Sequence, residues 1–582
     1  MGPDGPPPFL NQSFTTLVYR SLGILARAPA QRLRALMSGQ PMPQPPSSLS
    51  PRFRRARRIH ERGELDRAAR LYADILRRDP GHFDALHLLG MLNYQRGALD
   101  AALALLHAAL RIDSARADVQ SDLGLVFFAM ARFDDALASY EAAHALAPDD
   151  PEPLNGRGVV LLRLHRTREA LASFERAIAL APDHIDALGN RGNALLKLNR
   201  PGEAIASYDA GLKLAPKHDR LLTNQAIALR RLDRPHEALL GLNRALVGNP
   251  NFAEARFVES LVKLTLGDFA AGWSGYESRW ETAAFAPHRR NFARPLWLGG
   301  QPLAGKTILL YAEQGYGDTI QFVRYAPRVA ALGARVILEV QPELTRLMAA
   351  FKDIEVVAHG QALPAFDAQC PLMSLPLAFR TELATIPAGA PYLVPPTDIA
   401  AAPAKVDWRE RLPGRKPLVG LVWAGDQLHK NDINRSLPLA ALRPLLDLPH
   451  LQFVSLQQEI GAQDAEVLRS HPGLRAPGPF QDFAETAAVI ARLDAVIAVD
   501  TAVAHLAGAM GKPLFLLLPF GADFRWLRER SDSPWYPSAR LFRQHAFDDW
   551  GRVVDTLRQE LTRYRDVRAD IMSPIELEMQ AV

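Results

Sequence analysis

Where the apolar run Ala495–Val499 stops, three side chains able to do chemistry follow: Asp500, Thr501 and His505. A buried strand handing over to a short helix rich in small residues fits this order, with Ala502, Ala504, Gly508 and Ala509 allowing close approach of a ligand and of a neighbouring strand. Thr501 is a favoured N-cap residue. Behind it the free N–H groups of the first turn and the positive end of the helix dipole suit a phosphate or diphosphate. His505, one turn in, could donate to a phosphate oxygen or to a leaving group. Taken alone, a short motif of this kind reads more readily as a capped helix with a satisfied histidine.

Three further segments follow strand-like runs. Gln314-Gly315-Tyr316-Gly317-Asp318 comes after TILLYAE, and its two glycines let the backbone turn tightly beside a ligand. A dinucleotide fingerprint would need a third glycine where Ile320 stands, with Glu339 as its ribose acid, and Asp318 would repel a pyrophosphate at that helix end. Asp318 serves better as a general base taking a proton from an incoming hydroxyl; its structural alternative is a helix cap. WAGDQLHKNDINRS supplies His429, Lys430 and Arg435, cations able to neutralise a departing diphosphate, or else a solvated loop. SLQQE offers Gln457 and Glu459 to a ribose or base. No H-E-x-x-H metal spacing and no G-x-S-x-G elbow occurs, so no metal is assigned.

The elements that must position these groups alternate. Strands are expected at 307–313, 334–340, 354–358, 418–423, 451–456, 495–499 and 514–518, with helices from Thr319, from Pro342, near Leu439, over 483–493 and over about 548–564. Strand–helix alternation implies parallel sheets with right-handed crossovers. The proline-rich stretch from Pro391 to Lys405 divides the region into two lobes, 287–396 and 397–582. Ligands in such sheets sit beyond the carboxyl ends of strands, where every candidate above lies.

The first half has a different period. Pro80, Pro148, Pro182, Pro216 and Pro250 share one register of 34 residues, with Ser114 as the break. Ala68, Ala102, Ala136, Ala170, Ala204 and Ala238 recur in it, as do Gly90, Gly124, Gly158 and Gly192 and the aromatics Tyr72, Tyr140, Phe174 and Tyr208. This is the tetratricopeptide period: small residues let two helices approach, an aromatic fills the gap, and proline ends the unit. The array is placed at 51–286. Its last stretch, GDFAAGWSGYESRWE, is atypical and is expected to dock another domain. A solenoid offers a concave groove for a protein partner, or else serves as a spacer or dimerisation arm.

At 582 residues the chain exceeds one core. A net charge of +5 is too small for a dedicated nucleic-acid binder, and the RFRRARR run at 52–58 reads as a solvated helix face. The single cysteine, Cys370, excludes an intrachain disulfide and fits a reducing cytoplasm. No run is apolar enough to span a membrane. Residues 1–50 read as a disordered or weakly amphipathic tail with a Pro/Ser linker, its alternative use being peripheral contact with a membrane surface.

The second half resembles the heptosyltransferase-like glycosyltransferases, family nine, of the two-lobe GT-B fold, and more closely the bacterial proteins that fuse tetratricopeptide repeats to such a domain. The stretches that carry the resemblance are AEQGYGDTIQFVRYAP, CPLMSLPLAF, GLVWAGDQLHKNDINRSLPL, SLQ, DFAETAAVIARLDAVIAVDTAVAHLAGAMGKP and RWLRERSDSPWYPSARLFRQ. The resemblance implies a nucleoside diphosphate held by the second lobe. The phosphate motif falls on Asp500, Thr501 and His505, the basic ligand on Lys430 with Arg435 nearby, and the catalytic base on Asp318, without a metal. The layout is also similar, more loosely, to protein O-GlcNAc transferases, whose asparagine ladder here reads Leu88, Asp122, Gly156, Asn190, Asn224.

The expected protein is therefore an all-α solenoid followed by an α/β GT-B domain of two Rossmann-like lobes. It would be a cytoplasmic, metal-independent glycosyltransferase that takes a nucleotide-sugar as donor substrate, holds no permanent cofactor and draws a protein or glycan acceptor to its repeats. Its catalytic residues would be Asp318 and His505. Gly315, Gly317, Lys430, Arg435, Gln457, Glu459, Asp500, Thr501, Ala502 and Ala504 would bind nucleotide and phosphate. The alternative is a repeat scaffold carrying a catalytically degenerate domain.

Overall fold

The computed structural model describes residues 51–389, 391–396, 416–426, 431–471, 473–477 and 479–563. The tail, most of the linker from 397, and Lys430 with His429 lie outside the described residues. The chain divides into two compact units: one holds the repeats through Leu229 together with Leu240–Ala255, the other holds Arg230–Leu239 and everything from Arg256.

In the first unit the 34-residue period becomes antiparallel helix pairs, such as Pro151–Arg163 with Thr167–Leu180 and Ile185–Lys197 with Pro201–Leu214. The recurring alanines, 68, 102, 136, 170 and 204, are all fully buried, and so are Tyr72, Phe174 and Tyr208. The recurring glycine earns its place by contact: a Cβ on Gly158 would sit 2.5 Å from Phe174 Cε1. Each pair hands its apolar face to the next, which is how a hairpin too small for its own core becomes stable. The asparagine register is consumed internally: Asn190 Nδ2 donates to Asn155 Oδ1 at 2.9 Å and Asn224 Nδ2 to Asn193 Oδ1 at 3.0 Å, all four buried. These amides tie repeat to repeat.

The second unit carries two parallel sheets. The first, ordered β3-β2-β1-β4, contains β1 (Thr307–Tyr311), β2 (Arg335–Val340), β3 (Ile354–Ala358) and β4 (Ala368–Pro371). The second, ordered β10-β9-β8-β5-β6-β7, contains β5 (Leu418–Val422), β6 (Gln452–Ser455), β7 (Leu474–Arg475), β8 (Ala495–Val499), β9 (Leu514–Leu518) and β10 (Ala539–Arg543). β5, β8 and β9 are buried along their whole length, so each reads as a continuous apolar run. Strand order reverses between β1 and β4 in one sheet and between β5 and β8 in the other. Such reversals open a crevice beyond the strand ends. β1, β5 and β8 lead directly into the loops singled out in the sequence.

The atypical terminal repeat lies, from Arg256, within this second unit. Trp273, 2 % exposed, packs edge-on against Phe322 of the first lobe (5.9 Å) and Phe524 of the second (5.7 Å). Tyr276 Oη accepts from Gln314 Nε2 at 2.8 Å. The fully buried Arg279 meets Glu277 at 2.6 Å, Glu313 at 3.0 Å and Ser374 at 2.8 Å. Burial pushes the Glu313 carboxyl up to about 7 against the pull of Arg279. The stretch expected to dock another domain thus forms the floor under the loop that carries Asp318.

Packing at the repeat glycines is testable. Gly158→Ala should cost about 1–3 kcal/mol through overpacking against Phe174. Gly202→Ala, where a Cβ would meet nothing within 4 Å, should be neutral or slightly stabilising. Thermal melts of the two variants check this.

Candidate functional site

The first lobe contributes one loop. After β1 the helix Tyr316–Phe322 starts inside the glycine loop, three residues earlier than the sequence suggested, with Gly315 as its N-cap. Asp318 is its third residue, and its Oδ2 accepts from the Gly315 N–H at 3.0 Å. One carboxylate oxygen therefore caps the helix, and the other bonds Nη2 of Arg525. Burial, reinforced by nearby Asp523, raises the Asp318 carboxyl above its usual range, and Arg525 opposes that rise. Glu339, the acid of the dinucleotide alternative, is 2 % exposed and tied to Arg290.

The second lobe contributes two strand ends at its switch point. Beyond β8, the helix Ala502–Ala509 begins with Thr501 at the N-cap position in extended backbone. Its hydroxyl makes no capping bond; Oγ1 is buried and unpartnered. That corrects the expected cap. Thr501, Ala502 and Val503 are half-buried, and Ala504 to Ala509 are buried. The first-turn amides lie outside the helix's own ladder, as they must at any N-terminus. The small residues admit protein groups. A Cβ on Gly508 would lie 2.5 Å from Tyr536 Cδ1, and one on Gly317 of the first lobe would lie 2.8 Å from His505 Cδ2 and 3.6 Å from Ala502 Cα. Gly317 thus sets the contact between the two lobes, face to face at the candidate phosphate helix.

His505 is 5 % exposed and stacked on Trp526 at 5.3 Å. Its Nδ1 lies 2.9 Å from the Tyr536 hydroxyl and its Nε2 3.7 Å from Asp500 Oδ1. Burial, then the Arg525 charge, drives its pKa down to about 3, so at neutral pH it is a neutral imidazole that hydrogen-bonds and carries no charge. Asp500 is pushed up to about 6 by burial and by Asp523. Its carbonyl accepts from Arg435 Nη1 at 2.7 Å.

Beyond β5, the loop folds on itself: Gly425 N donates to Ser436 Oγ at 2.9 Å, and Ser436 Oγ donates to Asp432 Oδ1 at 2.7 Å. This places Arg435, from the short helix Asp432–Arg435, against the end of β8. Gln457 is otherwise engaged: its Oε1 accepts from the amides of Trp423 (3.3 Å) and Ala424 (3.2 Å), and its Nε2 donates to the Ala424 carbonyl at 3.0 Å. It shapes the β5 loop instead of offering a free amide to a ribose. Glu459 is exposed two residues further on. Among the described residues no group of three or more His, Cys, Asp or Glu is placed to hold a metal ion.

Asp318, Gly317, Arg435, Asp500, Thr501, Ala502 and His505 therefore converge, while Gln457 is spent on the backbone of the β5 loop and Glu459 is exposed. The sequence reading assigned no role to Arg525 and Asp523. Arg525 Nη1 donates to Asp523 Oδ1 at 2.7 Å and its Nε to Gln321 Oε1 at 2.7 Å, with the guanidinium over the Phe524 ring at 4.4 Å. The available signal was position: both residues follow β9, at a strand end like the other candidates.

Two buried groups give opposite pH signatures. Raised Asp500 makes the folded state hold a proton that the unfolded chain releases, so its contribution falls as pH rises from about 4 to 6. Depressed His505 does the reverse: its contribution is full above about 6.5 and is lost as pH falls toward 3. Asp500→Asn should therefore raise the melting temperature at pH 8 and steepen its fall between pH 6 and 4, read by calorimetry across that range.

Three tetratricopeptide-repeat family models match residues 60–121, 115–183 and 155–219, and the glycosyltransferase family 9 (heptosyltransferase) model matches residues 478–521. That last segment holds β8, Asp500, Thr501, the helix Ala502–Ala509 and β9. Protein FlbA of Caulobacter vibrioides is 30 % identical over 344 residues, which cover 53 % of this chain and 56 % of FlbA. The chain thus spans just over half the length of that relative. Among solved structures, the tetratricopeptide-repeat protein YrrB is 21 % identical, covering 33 % of this chain and 98 % of YrrB, with a TM-score of 0.27. PilF of Pseudomonas aeruginosa is 23 % identical, covering 35 % and 92 %, with a TM-score of 0.32. The chain thus carries tetratricopeptide repeats within 60–219 and, in its second parallel-sheet lobe, a segment at 478–521 that matches the glycosyltransferase family 9 (heptosyltransferase) model.

Proposed function

We propose that this protein is a glycosyltransferase moving a sugar from a nucleotide-sugar donor to an acceptor hydroxyl. The observation that carries the reading is the apposition of Gly317 and Asp318 of the first lobe to the N-terminus of the helix Ala502–Ala509 in the second. The acceptor oxygen gives its proton to Asp318 and bonds the anomeric carbon. The bond from that carbon to the diphosphate breaks, and its electron pair leaves on the nucleoside diphosphate. A carboxyl raised by burial is a better base near neutrality than a free aspartate. The helix end, the orphaned Thr501 hydroxyl and Arg435 meet the departing charge. Lys430, five residues before Arg435 in the sequence, is the further cation of this reading. The chemistry assigned to these groups calls for no metal, so turnover should persist in excess chelator.

The repeats would recruit the acceptor, a protein or glycan, along the solenoid. The asparagine pairs that tie the repeats together are buried, so recognition there falls to other side chains. A cytoplasmic setting, consistent with the lone buried Cys370, belongs to the same proposal.

One observation favours the scaffold alternative: Asp318 is already bonded through both oxygens. The two readings separate by experiment. UDP, GDP, ADP and CMP are titrated in thermal-shift assays; at least one should stabilise the wild type, whereas a scaffold shifts with none. With the donor class so identified, Asp318→Asn should lower kcat by about 100-fold or more without reducing the nucleotide shift. A wild-type rate in that variant would remove Asp318 from the base role.

A further inference from the structure

Arg525 occupies an unusual position. It comes from the loop after β9 in the second lobe, yet it reaches helix Tyr316–Phe322 of the first. Three of its nitrogens are committed: Nε to Gln321 at 2.7 Å, Nη1 to Asp523 at 2.7 Å, and Nη2 to Asp318. Its side chain is 10 % exposed. Two of these partners fix the guanidinium plane, since Gln321 is fully buried and the Asp523 carboxylate also accepts from the Arg525 backbone N–H at 3.1 Å. The third partner is the group assigned as base.

Asp523 acts on both Asp318 and Asp500, and the three carboxylates are answered by Arg435, Arg525 and, at Asp523, the buried Arg230. A diphosphate arriving at the end of helix Ala502–Ala509 meets two cations already engaged by protein oxygens: Arg435 on the Asp500 carbonyl and Arg525 on the carboxylates. A guanidinium is a planar fork, so one N–H can change partner while the others stay in place. Resting on the glycosyltransferase reading, we infer that Arg525 is a diphosphate-binding residue held in reserve by Asp318. An incoming diphosphate takes over the Nη2 bond, and the same exchange releases Asp318 to accept the proton of the acceptor hydroxyl. Arg525 is thus a positioning residue for the base and a ligand for the leaving group. Donor binding and base activation become one event, and the doubly bonded Asp318 is the resting state of a working site. Gln321 and Asp523 keep the guanidinium at the lobe junction through the exchange. No bond other than hydrogen bonds changes in this step.

The test is a double-mutant cycle read by calorimetric titration of inorganic pyrophosphate into the full chain, with wild type, Asp318→Asn, Arg525→Gln and the double variant. Arg525→Gln should bind about tenfold or more weakly, the loss expected for one charge-assisted bond. Asp318→Asn should bind several-fold more tightly, because its amide no longer neutralises Arg525. In the double variant that gain should vanish. If Asp318→Asn tightens binding equally in the Arg525→Gln background, Asp318 merely repels anions and the exchange is overturned. If Arg525→Gln binds as wild type does, Arg525 is no ligand and the inference fails while the glycosyltransferase reading stands. If wild type binds neither pyrophosphate nor any nucleoside diphosphate, that reading falls and the inference with it. Arg525→Lys, which keeps the charge and lacks the fork, replaces Arg525→Gln in the cycle if circular dichroism shows the latter misfolded. It should bind between wild type and Arg525→Gln.

Discussion

Burying opposite charges at the junction of two sheets is the constraint on which the second unit depends. Asp318, Asp500 and Asp523 sit at the ends of strands whose bodies are wholly apolar, and each carboxylate leaving water there must find a partner. Arg525 supplies it for two of them and adds Gln321. Because its partners belong to different sheets, the same bonds that neutralise the carboxylates also fix one lobe against the other. Gly317 sharpens the fit, since any side chain there would collide with His505.

The floor beneath this junction comes from an unexpected source. The last repeat has exchanged the regular small-residue pattern for Trp273, Tyr276 and Arg279. Trp273 packs on aromatics of both lobes, and Tyr276 and Arg279 hold Gln314 and Glu313, the two residues before the glycine loop. A solenoid end must cover its apolar face. Trp273, Tyr276 and Arg279 belong to the same unit as the two lobes, and their contacts brace the loop that carries Asp318.

The strands that the sequence reading missed share a physical trait. β4, β7 and β10 stand at the ends of their sheets. β10 alternates apolar residues with arginines, and β7 is two residues long. Central strands such as β8 and β9 announce themselves as apolar runs; β4 is buried throughout but is only four residues long and includes Gln369 and Pro371, so it shows no such run. The start of helix Tyr316–Phe322 was missed for a related reason. Glycine disfavours helix interiors, but at the first turn Gly315 and Gly317 are tolerated because Asp318 caps the end.

What the chain's order of residues determined alone is whatever repeats or alternates. The 34-residue period specifies helix pairs, and apolar runs followed by chemistry-bearing loops specify parallel strands and a site beyond their ends. Both are local patterns, fixed by the geometry of one turn or one strand. The tertiary structure decided the partners of the charges. Thr501 stands where a cap should be and does not cap, Gln457 turns inward onto backbone, and His505 is stripped of its charge. Arg525 closes on Asp318 from 207 residues away. Such pairings depend on how two sheets distant in sequence come together, and electrostatic attraction between distant residues leaves no periodic trace in the sequence.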